Sequence, residues 1–177
     1  MFRKSEIKIA IIGQGYVGLP LAIEFGKNTR TIGYDIDQKR AEEMSRDHNI
    51  PSFTSLESLL DANDAVSVVT PTHSHYKITE QALDAGCHVF IEKPITDNLS
   101  HAAALLKKAD KVNKIIQVGH IERFNPAFME LKKTAIMPHF IETHRLAPFN
   151  PRGNDVPVIL DLMIHDLDII LSLIDSK

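Results

Sequence analysis

The chain has 177 residues, 44% of them hydrophobic, with a net charge of -3 and a single cysteine. That length buries one good-sized core and the beginning of a second. No lysine or arginine run is present to grip nucleic acid or an anionic membrane, the apolar runs at 7–12 and 66–69 fall far short of the roughly 20 residues of a membrane helix, and the lone Cys87 excludes an internal disulfide. The expectation is a soluble, cytoplasmic protein without nucleic-acid or membrane partners. MFRKSEIKIAIIG does not resemble a signal peptide, since a glycine and a helix stand where a cleavage site belongs.

In chain order, IKIAII (7–12) is a β-branched run, residues 17–27 have helical spacing, RTIGYD (30–35) is strand-like, and residues 38–47 are charged and helical. A short strand near Ser52 and Phe53, a helix at 56–60, the strand AVSVVT (65–70) and a helix from 74 to 85 follow, the last ended by Gly86. Next come CHVFIE, a helix from 100 to 112, the strand IIQVG (115–119) and a helix from 126 to 134. Strands apolar on both faces and separated by helices predict an α/β domain, a doubly wound parallel Rossmann sheet over residues 1–120. After Pro138, HFIETHRLAPF alternates as a half-exposed strand does, NPRGND is a loop and residues 158–174 are helical. Residues 121–177 read as the start of a second, incomplete α/β domain for substrate and oligomer contacts. Its strand would leave an unpaired edge, so a homo-oligomer is expected.

The first motif is GQGYVG: Gly13, Gln14, Gly15, Tyr16, Val17 and Gly18. Between a strand and a helix, its glycines permit a tight turn, close approach of a pyrophosphate and close helix packing, while the helix N-terminus supplies partial positive charge. Asp35 ends the second strand, where a carboxylate accepts from the ribose hydroxyls of a dinucleotide. That acid favours NAD, because a 2′-phosphate would meet negative charge; Asp37 adds to the repulsion, and Lys39 and Arg40 keep NADP possible.

Thr70, Pro71, Thr72, His73 and His75 follow the AVSVV strand, and ligands of parallel sheets lie beyond the carboxyl ends of the strands. Thr70, Pro71, Thr72 and His75 are therefore candidate cofactor contacts. A helix cap with exposed histidines accounts for the His73–His75 pair, and no metal site is expected. Glu92, Lys93 and Pro94 end the CHVFIE strand on the same edge. Pro94 directs Lys93 toward the ligand, where a cation stabilises a developing alkoxide; a solvated ion pair at a strand end is the bland reading. In DLMIHDLDIIL, Asp161, His165, Asp168 and Ser172 form a polar stripe at helical spacing. Asp161 four residues before His165 would orient the imidazole as a general base, and a surface helix with its wet side outward is the bland reading.

GHIERFNPAF (119–128), EKP (92–94), TPTHSH (70–75) and the Asp161–His165 pair together resemble the Gfo/Idh/MocA oxidoreductases, NAD(P)-dependent enzymes of sugars and cyclitols, and most nearly their MviM-like branch. The resemblance implies that Lys93 contacts nicotinamide and substrate, that His165 is the acid/base with Asp161 as its partner on the substrate, and that Arg123 and Asn125 reach the substrate pocket. It implies oxidation of a nucleotide sugar, of the UDP-N-acetyl-hexosaminuronate 3-oxidation type. The alternative is an inactive NAD-binding module. The first 40 residues, with GQGYVGLPLA, instead resemble the UDP-sugar 6-dehydrogenases, so the chain reads as a mosaic. Cys87 does not match the catalytic cysteine of that second class, which disfavours oxidation at position six. Members of the first family continue into a large open sheet, so a truncated second domain is expected.

Overall fold

The computed structural model describes residues 7–134, 137–146 and 156–174. They fall into two compact units, 1–118 and 119–177. In the first, β1 (Lys8–Ile12), α1 (Gly18–Gly26), β2 (Arg30–Tyr34), α2 (Gln38–His48), α3 (Leu56–Asp61), β3 (Ala65–Val68), α4 (Thr72–Asp84), β4 (His88–Ile91), α5 (Leu99–Val112) and β5 (Ile116–Val118) alternate as the periodicities predict.

All five strands are parallel, in the order β2-β1-β3-β4-β5. The strand expected near Ser52 is a single parallel bridge to Gly33, outside β2. Counting that bridge as a reduced strand gives the dinucleotide-binding order 3-2-1-4-5-6, whose switch point lies between β1 and β3.

Alternate residues of β1 feed two cores. Ala10 and Ile12 pack with Val66, Val68, Leu83, Ile91 and Leu105, while Ile11 packs with Ala22, Met44 and Ile50. The period-2 geometry of a strand sends neighbours to opposite faces, so a two-faced sheet demands the unbroken apolar run seen at 9–12. Each fully buried Ile or Leu contributes about 1.5–3 kcal/mol. Local chemistry sets the helix ends. Asp37 accepts from Lys39 N at 3.0 Å to start α2, and Asn98 accepts from Ser100 N at 2.8 Å to start α5. Asn49, Asn113 and Gly86 close α2, α5 and α4 with positive φ.

The second unit holds a 3-10 turn (Ile121–Phe124), α6 (Pro126–Leu131), a π-helical turn (Ile159–Met163) and α7 (Ile164–Leu173). One expectation is corrected here. Residues 137–146 form neither a strand nor a bridge. Alternation supplies one face of a strand but no hydrogen-bonding neighbour, so the edge on which the oligomer expectation rested is not formed among the described residues. The rest of HFIETHRLAPF and the NPRGND loop lie outside those residues. The helix expected over 158–174 is present over residues 158–173, its opening turn (Ile159–Met163) π-wound and carrying Asp161 before α7 continues from Ile164.

Candidate cofactor and substrate site

The glycine loop joins β1 to α1 at the carboxyl edge of the sheet, at the switch point. Gly13 has φ +98, and a Cβ there would stand 2.8 Å from Val69 O. A Cβ on Gly18 would drive into Gly13 O and into the Val69 side chain. These two glycines are demanded by the turn and by helix packing. Gly15 differs: beyond its own chain neighbours, no heavy atom among the described residues lies within 4 Å of where its Cβ would sit. That open position, at the N-terminus of the nine-residue α1, is where a pyrophosphate approaches backbone most closely.

Asp35 is bound to the loop it serves. Its Oδ2 accepts from Gln14 N at 2.6 Å and its Oδ1 from Asp37 N at 2.8 Å. Each carboxylate oxygen retains a further acceptor site for a ribose hydroxyl. The Gln14 side chain is buried and its Nε2 donates to Ile11 O at 2.7 Å, so it braces the loop from beneath. Tyr16 and Val17 are exposed on the loop's outer face. Ile36, directly after Asp35, is 92% exposed, an apolar surface beside that carboxylate that no motif pointed to. Arg40 lies 3.7 Å from Asp37, paired with the acid that repels a 2′-phosphate.

At the end of β3, Thr70 abuts Gly13, and its Oγ1 is buried with no hydrogen-bond partner among the described residues. Pro71 is exposed and Thr72 buried as α4 begins. His73 is exposed as expected, but His75 is 1% exposed, with Nε2 2.8 Å from Thr70 O and Nδ1 2.9 Å from Pro94 O. An exposed cap therefore does not describe His75; its ring is drawn in because two backbone carbonyls need donors. Glu92 and Lys93 are half-buried and Pro94 buried; Glu92 Oε2 accepts from Lys93 N at 3.3 Å, and the Lys93–Pro94 peptide is cis. At the opposite, amino end of β4, burial pushes the Cys87 thiol up, as an inert core group.

In the second unit, Arg123 makes a bidentate pair with Asp168, Nε to Oδ2 at 2.7 Å and Nη2 to Oδ1 at 2.6 Å. The Arg123 guanidinium holds the Asp168 carboxyl below the usual carboxylate range, with burial opposing and His120, 4.0 Å away, assisting. Asp168 is buried while Met163, Leu167 and Leu171 are exposed. The polar stripe of α7 therefore turns inward, the reverse of the surface-helix reading, because Arg123 supplies Asp168 with its counter-charge. Asp168 stood in that stripe but was given no role of its own; its partner is 45 residues away in sequence.

Asn125 caps α6, its Oδ1 accepting from Ala127 N at 3.0 Å and its Nδ2 donating to Glu122 at 3.1 Å. Asp161 and His165, both half-buried, occupy the π turn and the first turn of α7. Arg145 pairs with Asp166 at 2.9 Å and ties residues 137–146 to α7.

A parallel sheet with a glycine-lined switch point and a ribose acid pinned to that loop defines a dinucleotide-binding protein. Residues 7–120 match the Gfo/Idh/MocA family, described as an oxidoreductase family with an NAD-binding Rossmann fold, and the chain belongs to that family. It is 39% identical over 174 residues, 97% of its length, to UDP-N-acetylglucosamine 3-dehydrogenase of Acidithiobacillus ferrooxidans. A solved structure of that protein superposes with a TM-score of 0.90 at 38% identity, covering 97% of this chain and 57% of the other. The chain thus spans 56% of the length of the relative it matches. The mosaic expectation has a counterpart as well: 62 residues, 35% of this chain and 15% of the other, are 48% identical to UDP-N-acetyl-D-glucosamine 6-dehydrogenase of Salmonella typhi. No helix among the described residues is long and apolar enough to cross a membrane.

The residues present fit a dinucleotide, and two glycine variants separate fit from folding. Gly15→Val is expected to change stability by less than about 0.5 kcal/mol and to weaken NAD binding at least about tenfold. Gly18→Val is expected to cost about 1–3 kcal/mol through overpacking. Urea unfolding together with NAD titration calorimetry checks both.

Proposed function

We propose that the chain is an NAD-dependent oxidoreductase acting on a ring hydroxyl of a nucleotide sugar, with position 3 of a UDP-linked N-acetylhexosamine as the first substrate to test. The reading is carried by Asp35 held against the glycine loop beside the open Gly15 position. The substrate class is supported by the likeness to the 3-dehydrogenase, whose name specifies UDP-N-acetylglucosamine. In this reading residues 1–120 bind the dinucleotide and residues 121–177 begin the substrate and oligomer domain.

NAD, when bound, supplies the hydride acceptor. In the first unit Lys93 is the donor that stabilises negative charge developing on a substrate oxygen; in the second unit His165 is the candidate acid/base and Asp161 its partner on the sugar. Arg123 acts through Asp168 and Asn125 through its cap, so their effect on substrate is to shape the segment that carries them.

Titration calorimetry with NAD and NADH tests the first half of the proposal, and a screen of UDP-sugars and cyclitols followed at the reduced-nicotinamide absorbance tests the second. Absence of NAD binding at millimolar concentration would sink the reading. Tight NAD binding without turnover of any sugar would reduce it to a dinucleotide-binding module.

A further inference from the structure

The ladder between β3 and β4 ends with Glu92 N donating to Val68 O at 3.0 Å. The same parallel register, carried two residues onward, sets the Pro94 nitrogen against Thr70 O, and a proline nitrogen has no hydrogen to give. His75 stands at that missing rung. It lies in the first turn of α4, and side chains of a helix lean toward its N-terminus, which here is the carboxyl edge of the sheet. One buried ring thereby joins the loop after β3, through Thr70 O at 2.8 Å, to the turn that carries Lys93, through Pro94 O at 2.9 Å.

We propose that His75 is a positioning residue: its imidazole takes the place of the ladder bond that Pro94 removes and holds Glu92, Lys93 and Pro94 against the end of β3. Carbonyl oxygens only accept, so a contact is a hydrogen bond where the ring nitrogen carries its hydrogen; a neutral ring serves one carbonyl and a protonated ring serves both. With its nitrogens turned to backbone, His75 acts on the cofactor edge indirectly, by fixing the turn from which Lys93 projects. The catalytic value of that fixing rests on the oxidoreductase reading, whereas the strut itself does not. A space-filling core histidine predicts a different outcome, because an isosteric apolar ring would then serve as well.

The test uses the whole 177-residue chain. In the wild-type protein, nitrogen-15 NMR is expected to show a slowly exchanging ring N–H of His75. Amine acylation read by peptide mass spectrometry is expected to label Lys93 roughly five- to tenfold faster in His75→Phe, the effect of about one lost hydrogen bond. Lys27 serves as the internal reference lysine. His75→Gln, whose amide still donates to one carbonyl, restores part of the protection. A rapidly exchanging ring N–H, or Lys93 labelling unchanged in both variants, overturns the proposal; if His75→Phe does not fold, the NMR signal and His75→Gln decide it. Altered Lys93 labelling in a protein that fails to bind NAD leaves the strut standing and removes the oxidoreductase reading.

Discussion

In the Lys93→Met variant, turnover of a UDP-sugar is expected to fall by about two to three orders of magnitude, while NAD affinity stays within about threefold. Methionine keeps most of the length and volume of the lysine stem, so the half-buried site beside Pro94 stays filled. What disappears is the ammonium group. A donor aimed at an oxygen that becomes negative only during reaction contributes to the transition state more than to the bound ground state, so the loss belongs in kcat and only weakly in KM. In the proposed reading the glycine loop and Asp35 carry most of the dinucleotide affinity, and the Lys93 contact to the nicotinamide adds little to it. Steady-state kinetics and NAD calorimetry on the same preparation check the split. A variant with unchanged kcat would remove Lys93 from the chemistry and leave the Glu92–Pro94 turn as a strand end.

Asp168→Asn is expected to destabilise the second unit by about 2–3 kcal/mol. That is below the roughly 3–5 kcal/mol of breaking a fully buried pair, since half of the Arg123 side chain remains in water. Asparagine keeps the shape but removes the charge that two guanidinium hydrogen bonds require. The pH dependence follows from the lowered Asp168 carboxyl. A carboxylate that is easier to ionise when folded contributes stability above its unfolded value, about 3.9, and that contribution disappears as pH falls through the lower folded value. Wild type and Asp168→Asn should therefore differ most near neutral pH and converge in acid. Urea unfolding followed across that range measures the gap, and a gap independent of pH would show that Asp168 contributes by packing alone.

Much of the first unit was legible because local geometry writes directly into sequence. Residues 9–12 had to be apolar on both faces to sit inside a parallel sheet, and the glycine spacing followed from the turn and close packing at Gly13 and Gly18. Gly86 marked the end of α4 through its own short-range chemistry. The second unit was less legible. HFIETHRLAPF has the alternation of a strand, but a strand also needs a neighbour, and alternation carries no information about one. The stripe on α7 reads equally well as a wet outer face or as an inner face with a buried ion pair.

Sequence alone determined the βαβ order, the dinucleotide loop with its acid at Asp35, and the presence of a lysine after β4, since each depends on residues within a few positions or on one strand-to-helix step. Tertiary structure decided that His75 is buried between Thr70 and Pro94 and that Asp168 faces Arg123. Both long-range pairings depend on which carbonyl or charge another segment brings to the same place. Chain closure sets that proximity, and no spacing along the sequence records it.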